Sequence, residues 1–285
     1  MAYNKPMGRL TRTQRLKQAP PWHRQWLTQA LFADLKAFVG QDLPANWPSL
    51  DHLHRMARTR HAQFLPEQKD LCFCHQAERL SALEYEQYIA SQRCIPTRGN
   101  NWHDVFNAWM WMRFPASKSQ LNQLHVNAPA QRQASGNQRS RPRDFATLLD
   151  ESGVIIACSD EAFKAAHQEH HWQEFFVKQR SAWGQRIRAY IIGHGLYEQC
   201  LTPYIGLTAK AIYLDVDVSF FKQTLEQQYR SLDQQLLKRL SCGPWLPRSL
   251  LPLPLLGVPS WWPDNEAAAF YSNTEYFRPK RQTKP

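Results

Sequence analysis

The cleanest alternation of apolar and polar positions lies between Ser219 and Leu240. There Leu225, Tyr229, Leu232, Leu236 and Leu240 step by three or four along one face and predict an amphipathic helix. Near the start, Trp22, Trp26, Leu27 and Leu31 repeat close to the helical period between Pro21 and about Val39. Leu80, Leu83, Tyr88 and Ile89 predict another helix over about Ala77 to Ser91. Asn101 is a good cap for a helix ending at Phe114, because the residue before a proline is pushed out of the helical region. Pro115 suits the first position of the next helix, which should reach about Val126. Phe145 to Cys158 reads as a β-hairpin turning at Asp150-Glu151-Ser152-Gly153. Ser159 can cap a following helix, and aromatic helices continue through Trp172, Phe175, Phe176, Trp183 and Tyr190 to about Cys200. Thr208 to Val218 suits a strand, and the prolines from Pro244 to Pro263 predict an extended belt packed on the body.

These elements predict a helix-dominated α+β single domain with a small antiparallel sheet or hairpin and an extended Pro-rich C-terminal belt. Residues 1–20 carry Lys5, Arg9, Arg12, Arg15 and Lys17 and read as a basic flexible arm. Residues 21–280 form the globular domain, and 281–285 a tail. Within the domain, 127–143 is a polar loop with Arg132, Arg139, Arg141 and Arg143 and no acid. Loops of this length are usually functional or disordered.

Composition supports a packed core: 43% of the 285 residues are hydrophobic, and 11 are tryptophan. Lys and Arg number 35 against 24 Asp and Glu, a net charge of +11 that favours anionic ligands or nucleic acid as partners. Cys72, Cys74, Cys94, Cys158, Cys200 and Cys242 are scattered, which suits free thiols in a reducing cytoplasm. No apolar run has the length of a membrane-spanning helix, and the basic N-terminus lacks the apolar core of a signal peptide. No membrane partner is expected.

Candidate chemistry concentrates in Asn100 to His125. His103 and Asn107 lie four apart on the first helix of that stretch, and Lys118, Asn122 and His125 share a stripe on the second. A hairpin of the two would bring both stripes to one pocket. His103 near a helix start should have its charged form disfavoured, and a neutral imidazole serves as base or metal ligand. The alternative is structural: Asn101 and Asp104 cap the helix, while His103 and Asn107 satisfy buried backbone groups. His194, between Gly193 and Gly195, suggests a close backbone approach. It could meet His103 and His125 and, with Asp104, hold a divalent metal.

Asp150 and Glu151 read more simply as turn acids. His167, His170 and His171 read as a solvated face. Cys72-Phe73-Cys74-His75 lacks the second ligand pair of a zinc finger. Phosphate-loop, nucleophile-elbow, dinucleotide and His-Glu-x-x-His signatures are absent from the sequence.

Asn101-Trp102-His103-Asp104, Phe106-Asn107-Ala108, Trp111, Phe114-Pro115, Lys118, Leu121-Asn122 and His125 resemble the signature block of an uncharacterised bacterial family, domain-of-unknown-function family 3025. The likeness runs on through Arg143-Asp144, Thr147, Asp150-Glu151-Ser152-Gly153 and Gly193-His194 to Pro252-Leu253-Pro254 and Trp261-Trp262-Pro263. Gly195 and Lys210 stand where the family pattern carries alanine and histidine. The resemblance covers about residues 20–280 and implies a single bacterial domain, with no activity and no catalytic residue attached.

Two functions are compatible with these features. The first is an acid/base or metal-assisted hydrolase acting on an anionic, phosphate-bearing substrate. In it His103, Asp104, Asn107 and His125 are catalytic, and Lys118, Asn122 and Arg143 bind substrate. A divalent metal is possible, with His103, Asp104, His125 and His194 as its candidate ligands. The second is a nucleic-acid-associated protein whose two motif helices form a helix-turn-helix-like pair, with the arginine loop on phosphates.

Overall fold

The computed structural model describes residues 20–128, except Pro66 and Ala77, and residues 141–280. The basic arm up to residue 19, residues 129–140 of the basic loop and the tail 281–285 lie outside the described residues.

The Trp-rich start is wound more tightly than one helix. Two short 3₁₀ turns, Gln25–Thr28 and Ala30–Phe32, lead into helix α1 (Ala33–Val39). Helix α2 (Leu50–Thr59) begins at Ser49, whose hydroxyl oxygen accepts from the His52 N–H. Strand β1 (Gln63–Phe64) pairs antiparallel with β2 (Lys69–Asp70), and β3 (Phe73–His75) pairs in parallel with β4 (Ile95–Thr97). Helix α3 (Ala82–Gln92) joins β3 to β4 and opens with a reciprocal cap between Ser81 and Glu84. Cys72 and Cys94 close that excursion as a disulfide. This corrects the expectation of six free thiols: Phe73 faces Ile95, so the two preceding cysteines are neighbours in register.

Helix α4 (Trp102–Arg113) and helix α5 (Pro115–Asn127) follow the sequence closely. Asn101 Oδ1 accepts from the Asp104 N–H at 3.0 Å. Phe114, at φ −130° and ψ 55°, separates the helices. Every residue of α4 except His103 is buried.

The first strand of the expected hairpin is instead the end of helix α6 (Arg141–Ser152). Phe145, Ala146 and Leu149 form a buried helical stripe there, so an apolar run read with period two has period near four. The second half of the expectation holds as strand β5 (Gly153–Cys158). Helix α7 (Glu161–Gln168) follows, capped by Asp160 rather than Ser159. The expected aromatic helices are interrupted. A π-helical turn, Gln173–Lys178, gives way to strand β6 (Ile187–Ile191), and helix α8 (His194–Cys200) starts only after Gly193. Ile187 to Ile191 is a short, almost wholly buried run, which periodicity alone assigns to neither state.

Strand β7 (Thr208–Asp215) is where the pattern placed it. Helix α9 (Leu225–Cys242) begins later than the periodicity suggested, because Thr224 and Gln227 cap each other. The proline belt contributes strand β8 (Leu251–Pro254). The central sheet has the order β6-β5-β7-β8, with β5 and β7 parallel and both outer pairings antiparallel. Helix dominance in an α+β single domain is therefore what the chain adopts.

His167 corrects the expected solvated face. It is fully buried, its Nε2 donates to the Pro252 carbonyl at 2.9 Å and its Nδ1 accepts from the Tyr213 hydroxyl at 2.8 Å. The N-terminal segment packs onto the start of α4, where the Trp22 and Trp102 rings stack with centroids 4.7 Å apart. Among the described residues, no helix is long and apolar enough to cross a membrane.

Candidate metal centre

Three helix ends meet at one cleft. His103 lies in the first turn of α4, His194 is the first residue of α8, and Asp150 and Glu151 lie in the last turn of α6. The junction depends on two glycines. A Cβ on Gly193 would fall 2.4 Å from the Gly153 nitrogen and 2.8 Å from the Glu151 carbonyl oxygen. The Gly193 N–H donates to the Gly153 carbonyl at 2.9 Å. This is the close approach that the glycines around His194 suggested.

The two imidazoles face each other, with His103 Nε2 3.0 Å from His194 Nε2. Glu151 Oε1 stands 3.7 Å from each of these nitrogens. All three ligand atoms lie within 4.8 Å of one another. Two nitrogens each about 2.1 Å from one ion are about 3.0 Å apart at a right angle and about 3.4 Å apart at the tetrahedral angle. The observed spacing fits a shared cation.

The surroundings fit it too. His103 Nδ1 is 3.1 Å from Glu198 Oε2, a bond that orients the ring and turns Nε2 toward His194 and Glu151. His194 Nδ1 is buried without a hydrogen-bond partner, with Asp150 Oδ2 3.7 Å away. The Glu198 carboxylate behind His103 is the usual outer support of a metal-bound histidine.

The two histidines titrate in opposite directions. Burial lowers the proton affinity of His103, but the Glu198 hydrogen bond and the charges of Glu151, Glu198 and Asp104 outweigh it and raise the pKa. This corrects the expectation that the helix start would disfavour its charge, since a partial helix charge is smaller than several nearby carboxylates. Burial, then the His103 and Lys118 charges, hold His194 well below the ordinary imidazole value.

The other residues singled out from the sequence divide into two groups. Asp104 is engaged by Arg98, with Nη2 to Oδ1 at 2.7 Å and the Arg98 backbone N–H to Oδ2 at 2.7 Å, so it stands outside the ligand set. Lys118 is buried, pairs with Asp150 and donates to Asn107 Oδ1 at 2.9 Å, while Asn107 Nδ2 donates to the Tyr85 hydroxyl at 2.8 Å. Lys118 and Asn122 therefore support the wall from behind, whereas Asn107, His125 and Arg143 line the cleft. Arg143 bonds the His125 and Ala128 carbonyls at 3.0 and 3.1 Å.

Glu151, Glu198, Glu86 and Tyr85 were not among the sequence candidates. Glu151 was hidden by the hairpin reading, which made it a turn acid. Glu198 was legible, because it lies four residues after His194 and so on the same helix face. Burial and the Asp150 charge push Glu86 up to about 7, against the Asn122 hydrogen bond and the Lys118 charge.

The cleft has a volume of about 520 Å³ and is also lined by Arg79, Arg98 and Thr147. A larger hollow of about 910 Å³ at Trp172, Tyr204 and Tyr276 shares no lining residue with it. Among the described residues that hollow gathers no converging ligand set, so chemistry rather than size identifies the site.

A family model described as "Protein of unknown function (DUF3025)" matches residues 71–281, a span containing all three ligands together with Glu86 and Glu198. No curated protein and no solved structure matches the chain.

Proposed function

The chain belongs to the DUF3025 family, and we propose that it is a metal-dependent hydrolase of an anionic, phosphate-bearing substrate. The observation that carries this reading is the convergence of His103 Nε2, His194 Nε2 and Glu151 Oε1 with Glu198 behind His103. His103, His194 and Glu151 would hold a divalent ion, with the Glu151 carboxylate offsetting part of its charge. When bound, the ion would supply Lewis-acid activation of a water or of a substrate oxygen. The protein's own groups do the remainder. Glu198 orients His103, while the Lys118–Asp150 pair stiffens the end of α6 that carries Glu151. Arg79, Arg98 and Arg143 line the cleft beside Asp104, Asp150, Glu151 and Glu86, and their guanidinium groups suit an anionic substrate.

Burial weighs against the helix-turn-helix alternative. On α5 only Asn127 is fully exposed and Lys118 is buried, so the α4–α5 pair offers little basic surface to a DNA groove. The same ligand set also suits ferrous oxygenases. The arginines favour an anion to be hydrolysed, and an Fe²⁺ arm in the assay separates the two.

Calorimetric titration with Zn²⁺, Mn²⁺ and Fe²⁺ tests the site. Wild type should bind one ion. His103→Ala, His194→Ala and Glu151→Ala should each lose at least about 100-fold in affinity, and Glu198→Gln about 10–100-fold. The metal-loaded protein should then release nitrophenol from nitrophenyl phosphate esters, and the ligand variants should not. Unchanged binding in the three ligand variants would sink the centre. Binding without turnover of any phosphate ester would sink the hydrolase.

A further inference from the structure

Asn122 is buried on α5 and directs its amide at a single neighbour. Its Nδ2 donates to the Glu86 carbonyl at 2.9 Å and to Glu86 Oε2 at 2.7 Å. The Glu86 carboxyl is thereby fixed beside Tyr85 on the wall of the cleft that His103, Glu151 and His194 share.

Burial is the main influence on its proton, and the charges around it add to or oppose that influence. Asp150 and Glu151, both on α6, raise its affinity for a proton. Lys118 on α5 opposes them but is committed to Asp150. On α4, Asp104 is balanced by Arg98. His103, His194, His125, Arg79 and Arg143 complete the charged lining. Among the described residues no cation forms an ion pair with Glu86, so no direct salt bridge offsets the cost of burying its charge.

We infer that Glu86 is the proton-exchanging carboxyl of this site, neutral when no cation is held by the three ligands and ionised when a divalent ion takes them. The inference rests on the metal reading above. Two added positive charges beside Glu151 reverse the balance that holds the proton, because a nearby cation favours the charged carboxylate. The proton leaves to solvent as the ion enters. The carboxylate left behind faces the cleft and can take a proton from a water there, which becomes hydroxide. An ordinary exposed glutamate would already be ionised at neutral pH and would exchange nothing. Burial, which pushes Glu86 to about 7, is what makes the exchange fall in the working range.

Zn²⁺ titrations in paired buffers of different ionisation enthalpy count the protons released, for wild type and for Glu86→Gln between pH 6 and pH 8. At pH 6 wild type should release up to one proton more than the variant. Below about pH 7 its affinity should rise about tenfold more per pH unit. Any proton released by His103 is common to both proteins and cancels in the difference. Infrared difference spectra of wild type at pH 6 need no variant, and should lose a protonated-carboxyl band when Zn²⁺ is added. Equal proton counts, or a difference spectrum without that loss, overturn the inference and leave the metal centre standing. Wild type that binds no Zn²⁺ overturns both.

Discussion

At the scale of single residues, environment rather than identity separates the histidines. His103 and His194 share one short contact and are driven apart in proton affinity, while His167 is locked into the core by two hydrogen bonds. His167 has a measurable consequence of its own. Burial lowers its pKa from 6.5 to about 4, so the unfolded chain takes up a proton that the folded chain refuses. Its contribution to stability is therefore intact above about pH 6.5 and declines as pH falls towards 4, by about 2 kcal/mol between pH 7 and pH 5. Urea unfolding at those two pH values, compared with His167→Gln, isolates this term from the other titrating groups. Wild type should lose that much more than the variant. Parallel losses would show that His167 does not resist protonation in the fold.

Among elements, the least visible device in the sequence is the start of α5. Pro115 marks it, but no neighbouring side chain caps it. The cap comes from the distant helix α9, where the Asp233 carboxylate accepts from the Ala116 and Ser117 N–H groups at 3.0 and 2.8 Å. Asp233→Ala should cost about 3 kcal/mol, because two buried donors lose their acceptor. Zn²⁺ affinity in the folded variant should stay unchanged. A melting curve like that of wild type would refute the cap.

Local devices such as Asn101, the Phe114-Pro115 break and the leucine stripe of α9 act over a few residues, so they were legible in the sequence. Asp233 and Glu151 act across the fold and were not. The misread hairpin shows why. Phe145 to Leu149 satisfies an apolar run of either kind, and the choice is made by what packs on it. Read as a strand, that segment makes Glu151 a turn acid and hides it from the candidate ligand set.

At the scale of the whole molecule, the family match begins at residue 71, yet earlier residues belong to the same core. Trp26, Phe32, Leu35 and Val39 are buried, and Asp34 accepts from Arg188 Nη2 at 2.6 Å and from the Tyr229 hydroxyl at 3.1 Å. Each of those four side chains contributes about 2 kcal/mol by burial, a sum comparable with the whole stability of an ordinary domain. A chain starting at residue 71 should therefore fail to fold cooperatively. Circular dichroism melting would show a broad transition or none, and a sharp one near the wild-type midpoint would make the first 70 residues dispensable. The ligand set has a different reach. His103, Glu151 and His194 come from three helices far apart in the chain, so no short stretch can gather them alone. During synthesis the site is therefore absent until the chain has passed Glu198 and the sheet has closed. On the metal reading proposed above, a growing chain has no assembled site with which to capture an ion early.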